Sequence, residues 1–144
     1  MKIPTLAASV TFSFLTALPA VAACSDPAGQ GVDWRDCILD RASLQGADLL
    51  DANLSGASLH GADLSGANLT IARMTNVYIR YANLSGANLT SADLRYANLW
   101  CTDLQGANLT NANLQYANLG CANLSGATWT DGRTCAAGSI GGCN

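Results

Sequence analysis

The chain has 144 residues, 49% of them apolar and 12% charged, with a formal net charge of −3. That is enough for one domain with a sizeable core, while the absence of any long basic run excludes a strong grip on phosphate backbones. Six cysteines with one histidine and no C-x-x-C pair argue for disulfides and against a zinc centre, and no cofactor is expected.

Residues 1–23 read as an export signal. Lys2 gives a positive start, an apolar run spans Leu6 to Leu18, Pro19 interrupts it, and Ala20-Val21-Ala22 offers small residues for cleavage. The run is short and rich in Ser and Thr for a membrane span. The expected location is periplasmic or secreted. Val21-Ala22-Ala23-Cys24 also resembles a bacterial lipobox, which would make the chain a lipid-anchored envelope protein through Cys24. Past the signal the chain carries ten Asp against six Arg, with neither Glu nor Lys.

Residues 24–31, including Ser25-Asp26-Pro27 and Gly29-Gln30-Gly31, have loop composition and are expected to form an N-terminal cap. From Val32 to Asp131 the chain repeats every five residues without a slip: Ala47-Asp48-Leu49, Ala52-Asn53-Leu54 and so on to Ala122-Asn123-Leu124. Ala and Leu are two apart and share a face of an extended chain. The residue between them and the two after Leu face elsewhere. A period of five fits neither a helix nor a long strand, so the chain must turn once per pentad. One buried Leu contributes about 2 kcal/mol, whereas ordering five residues costs about 5–10 kcal/mol. Stacked neighbours must therefore share core and backbone ladders, as in a solenoid. Val32, Cys37, Val77 and Thr102 stand in for the inward Ala, and Trp34, Met74, Ile79 and Trp129 for the central Leu. Trp34 and Trp129, the first and last centres, are placed to plug the ends. Residues 132–144 leave the pattern and are expected to form a C-terminal cap.

This A-(D/N)-L-x-x motif over 32–131 resembles the pentapeptide-repeat family. The resemblance implies an all-β fold, a right-handed quadrilateral parallel β-helix with four pentads per coil and about five coils, its end caps stapled by disulfides. In that fold Cys101 and Cys121 lie one coil apart on one corner, near enough for a disulfide. Cys135 and Cys143 bracket a Gly-rich tail and can pair locally, which leaves Cys24 with Cys37.

Sorting the outward positions by coil gives columns. Gly46, Gly66, Gly86, Gly106 and Gly126 share one, suggesting a turn with positive φ. Thr70, Thr90, Thr110 and Thr130 form a ladder, either an exposed-strand preference or an ice-contacting face. Tyr78, Arg80, Tyr81, Arg95, Tyr96, Trp100 and Tyr116 gather on the remaining two sides as a candidate binding surface. There Tyr96 and Tyr116 lie one coil apart, as do Arg80 and Trp100, the latter pair within cation–π reach. The rival reading is that aromatic stacking merely stiffens the coils. His60 has no nucleophile beside it, and Asp63 and Asp103 are separated by Asn83, so no catalytic residues are assigned. The reading is a non-enzymatic exported scaffold that binds an unidentified protein or envelope component. The family also contains DNA mimics that act on gyrase, a role that the signal segment and the Asp/Arg balance disfavour.

Overall fold

Each pentad has five backbone N–H groups that need acceptors, and the way they find them defines the architecture. The structure is a computed structural model and describes residues 24–144; the expected export signal and most of the lipobox lie outside the described residues. In the pentad 87–91, Ala87 N–H closes the preceding turn on the Leu84 carbonyl at 3.0 Å. Asn88 N–H donates to Ala67 O (2.9 Å), Leu89 N–H to Asn108 O (2.7 Å) and Ser91 N–H to Thr110 O (2.9 Å). The fifth, from Thr90, goes to Oδ1 of the Asn88 side chain at 3.1 Å. That Asx bond is why Asp or Asn recurs before the central Leu: the side chain takes the one donor that the ladder leaves over.

Parallel bridges link each residue before a central Leu to its counterpart twenty positions on, from Asp33↔Asn53 through Asn108↔Thr128. The chain is thus a solenoid with four pentads per turn. An all-β fold suggested strands, yet among the described residues every bridge is isolated and no continuous strand forms. A two-residue turn in each pentad leaves too few successive extended residues for one.

Four stacked columns line the interior, named here by one member each: Leu54 (with Trp34, Met74, Leu94 and Leu114), Leu59 (Leu39, Ile79, Leu99, Leu119), Leu64 (Leu44, Leu84, Leu104, Leu124) and Leu69 (Leu49, Leu89, Leu109, Trp129). From Leu49 to Leu104 every centre, Met74 and Ile79 included, is fully buried. Thr102 is buried among the alanines because its hydroxyl donates to Ile79 O at 2.8 Å.

The turns correct one expectation. The glycine column does have positive φ, but so does the same turn position at the other corners, including twelve non-glycine residues from Asp36 to Cys121. A left-handed residue at the third turn position is the type II requirement, and the five-residue period imposes it at each corner alike.

At the first end Trp34 is buried, its indole N–H donating to Asp26 O at 3.2 Å, and Gly31 N–H bonds to Leu50 O at 2.8 Å. At the last end the tail folds back antiparallel, with bridges Asn123↔Ile140 and Thr128↔Thr134. Trp129 is only partly buried there. The cysteines are bonded as Cys24–Cys37, Cys101–Cys121 and Cys135–Cys143, with Cα separations of 5.5, 4.5 and 4.9 Å.

Candidate binding surface

The bridges Ile38↔Ser58↔Tyr78↔Asn98↔Asn118 put Tyr78 at the middle of the Leu59 side. Arg80 and Trp100 follow the central residue on that same side. Tyr81 stands at the corner where this side ends, and Tyr96 and Tyr116 at the corner where it begins. Four tyrosines are more than half exposed, Tyr116 most at 69%, and Trp100 is 38% exposed. Tyr96 and Tyr116 are stacked, centroids 5.0 Å apart and rings 16° from parallel. His60 meets Tyr81 edge to face at 5.5 Å.

One expectation for this surface needs correction. Arg80 lies over Tyr81, in its own pentad, at 5.4 Å from the ring centroid, instead of over Trp100. The Trp100 ring is turned toward Gly120 one coil on, and so close that a β-carbon on Gly120 would collide with it. Arg95, one residue before Tyr96, is held by Asp93: Nε to Oδ1 at 2.8 Å and Nη2 to Oδ2 at 2.6 Å. The surface is therefore aromatic with its Arg95 charge locally neutralised, rather than a basic patch.

Tyr81, Tyr96 and Tyr116 sit at φ of 58°, 60° and 62°, in the left-handed region that costs a residue with a side chain roughly 1 kcal/mol. The corner after the Leu64 column needs the same conformation and is glycine in every coil. Glycine is the residue such a turn favours, so the three tyrosines are held against local preference. Sidedness by position is legible in the sequence; this strain is not.

The sequence reading also missed a shallow pocket of about 450 Å³ lined by Arg35, Asp36, Ser55, Gly56, Thr75, Asn76 and Tyr78. It occupies the same corner as Tyr96 and Tyr116, on the earlier coils. The Asp36 carboxylate lies where a side chain on residue 56 would go. A lone Gly56 below Asn76, Tyr96 and Tyr116 in one corner column was the available signal.

The carboxylates near this surface are engaged. Asp93 is held below the ordinary carboxylate range by the Arg95 guanidinium, against the effect of partial burial and with help from the Arg95 N–H and the Thr75 hydroxyl. Asp33 is lowered in the same way by Arg35. Asp40 is lowered first by the Ser58 hydroxyl and then by the His60 N–H. Each is an acceptor locked in place, a poor donor for acid catalysis. Asp63 and Asp103 each bridge to Asn83 between them. What this side can do chemically is stack and hydrogen-bond.

Two other features carry weight for the alternatives. Thr70, Thr90 and Thr110 donate their hydroxyls to the Asn68, Asn88 and Asn108 side chains at 2.6–2.7 Å, so the threonine ladder is turned onto its own Asx turns. Cys24 shares its sulfur with Cys37, and acylation there requires that bond to be absent. No helix of the described residues is long and apolar enough to cross a membrane.

A twenty-residue solenoid turn, an inward Leu column on each side and an Asx bond wherever Asp or Asn precedes the central residue define a class of repeat protein. The family model for pentapeptide repeats matches residues 37–76, 72–111 and 92–128 with eight copies, and the chain belongs to the pentapeptide-repeat family. Similar solved structures include HetL, a pentapeptide repeat protein involved in heterocyst differentiation regulation from the cyanobacterium Nostoc sp. strain PCC 7120: 30% identical, covering 72% of this chain and 64% of that one, TM-score 0.37. The chain thus spans less than two thirds of HetL. A pentapeptide repeat protein of the Arabidopsis thaliana thylakoid lumen, AT2G44920, is 23% identical with 79% and 81% covered and a TM-score of 0.55; it shares the fold. QnrB1, a plasmid-mediated fluoroquinolone resistance protein, is 18% identical with 68% and 60% covered and a TM-score of 0.35. A search of curated proteins finds no significant match.

Proposed function

We propose that this pentapeptide-repeat protein is a non-enzymatic, exported scaffold, acting in the periplasm or outside the cell, that binds a protein or envelope component through the Leu59 side. The architecture behind the proposal is a right-handed coil of five turns over 32–131, closed by disulfide-stapled caps at 24–31 and 132–144 after loss of residues 1–23. Three disulfides favour an oxidising compartment. The observation that carries the binding role is the exposed aromatic cluster: four tyrosines more than half exposed, together with Trp100, gather on one side and its two corners. Clustered exposed aromatics mark interaction sites, and exposed tyrosines are favoured interface anchors. Tyr78, Trp100 and Arg80 widen the same surface, and Arg95 orients beside it.

The test is capture from envelope extract with wild-type protein and with Tyr96→Ala plus Trp100→Ala. Wild type is expected to retain a discrete partner that the double variant, equally folded by circular dichroism, loses at least about ten-fold. Equal recovery by both would overturn the assignment.

A further inference from the structure

The upper rim of the coil is closed on one half and open on the other. Over the Leu64 and Leu69 columns the tail supplies the bonds the next coil would have made, all but the one from the Asp131 N–H. Leu124 N–H donates to Ser139 O, Gly126 N–H to Cys135 O and Trp129 N–H to Arg133 O, while Ala122 O and Ala127 O accept from Gly141 and Cys135. Over the Leu54 and Leu59 columns the same atoms face outward. Among the described residues nothing accepts from the N–H of Leu114, Tyr116, Leu119 or Cys121, and nothing donates to the carbonyls of Ala112 or Ala117. One coil below, Leu94, Tyr96, Leu99 and Cys101 all donate to the ladder. The core is thin at the same place: Leu114, Ala117 and Leu119 are half-buried, whereas Leu94, Ala97 and Leu99 are fully covered.

We propose that this open half-rim, residues 112–121, receives an extended segment of a partner protein, which pairs with it as the tail pairs with the other half. The tail shows the required shape. It runs antiparallel, turns once at Ala137-Gly138, and points Cys135 and Ser139, four residues apart, down onto the core. A partner segment of that kind sets small or apolar side chains over Leu114 and Leu119 and gives carbonyls to four donors. The rim offers four N–H groups against two carbonyls, so it suits a bare backbone edge better than it suits its own mirror. Coil-on-coil stacking of a second copy is blocked, because the tail stands over the other half of the rim and residues 26–31 stand below the first coil. The inference does not rest on the aromatic column as a binding surface.

The probe is a random dodecapeptide phage library panned on the oxidised protein, followed by amide exchange measured by NMR. In free protein the N–H groups of Leu114, Tyr116, Leu119 and Cys121 are expected to exchange at least about 100-fold faster than those of Leu94, Tyr96, Leu99 and Cys101. Selected peptides slow those four by about ten-fold or more. They bind Leu119→Pro, which removes a donor that no described residue uses, about ten-fold more weakly. Leu119→Lys, an inward charge that blunts an edge, has the same effect should the proline variant fail to fold. Tyr78→Ala with Arg80→Ala leaves peptide binding intact, which separates this site from the aromatic one. No selected peptides, protection mapped elsewhere, or slow exchange of the four amides through self-association would each overturn the proposal.

Discussion

The Leu64 side and the Leu59 side have the same backbone and opposite surfaces. Both bridge to their neighbours every twenty residues, both bury an aliphatic column and both end in a left-handed corner. On the Leu64 side that corner is Gly46, Gly66, Gly86, Gly106 and Gly126, preceded by Ser or Gln. On the Leu59 side it is Arg41, Gly61, Tyr81, Cys101 and Cys121, preceded by Asp40, His60, Arg80, Trp100 and Gly120. The first side is what folding alone asks of a pentad. The second departs from it, with a side chain in the left-handed region at Arg41, Tyr81, Cys101 and Cys121, as the Leu69 side has at Asp51, Ile71, Ser91 and Asn111. What sets the two sides apart is which side chains stand at the corners, since the corner torsions are shared.

The comparison predicts first what will not differ. Leu84→Ala on the glycine side and Leu99→Ala on the aromatic side remove equally buried side chains, and each is expected to lower unfolding free energy by about 2–5 kcal/mol in urea titrations. A loss outside that range on one side alone would mean that the columns do not share one core. Next, opening Cys101–Cys121 with the paired Ser substitutions removes a 20-residue loop closure that contributes about 3 kcal/mol. This loss is specific to the aromatic side, read as a lower melting temperature under oxidising conditions and no change under reducing ones.

Corner exchanges sharpen the contrast directly. Gly86→Ala, at φ +65 with open space around its β-position, is expected to lose about 1 kcal/mol. Tyr81→Gly removes left-handed strain at φ 58 and is expected to be neutral or to stabilise by up to about 1 kcal/mol, less whatever its contacts with His60 and Arg80 contribute. Calorimetric melting of both variants decides it. A large loss for Tyr81→Gly would make the tyrosine structural and return the aromatic column to a stiffening role.

Much of this was legible in the residues. The unbroken Ala-x-Leu spacing fixes which side chains face inward, and Leu49 through Leu104 lie there; the spacing of Tyr96 and Tyr116 places them one above the other. What was hidden depends on backbone torsions and ring orientation, which a period cannot encode. The glycine column advertised positive φ at one corner, whereas Ile71 and the tyrosines gave no sign that they share it. Arg80 lies over Tyr81 while Trp100 is turned onto Gly120, orientations that spacing alone does not set. The Asx bonds were hidden too, since Asn88 and its counterparts read as outward polar residues until the Thr90 N–H is followed to its acceptor.

The smallest expected effect concerns pH and again sets one side against another. Asp93 on the Leu54 side is paired with Arg95, which holds its carboxyl below the usual range; Asp103 on the glycine side accepts instead from Gln105 N–H and the Asn123 side chain. A depressed folded-state value means that the pair's stabilisation is complete above the unfolded-state value of about 3.9. It disappears as pH falls through the lower folded value, where the folded carboxylate finally takes up its proton. Melting temperature is therefore expected to be flat from about pH 8 to 5 and to fall below about pH 4. Asp93→Asn keeps an Asx acceptor but removes the charge, so it should lower stability slightly at neutral pH and flatten the acid limb. Both ends of the pair are partly exposed, at 28% and 45%, so the shift should be smaller than either corner exchange. An acid limb unchanged in Asp93→Asn would assign the acid sensitivity to other carboxylates, Asp33 beside Arg35 first among them.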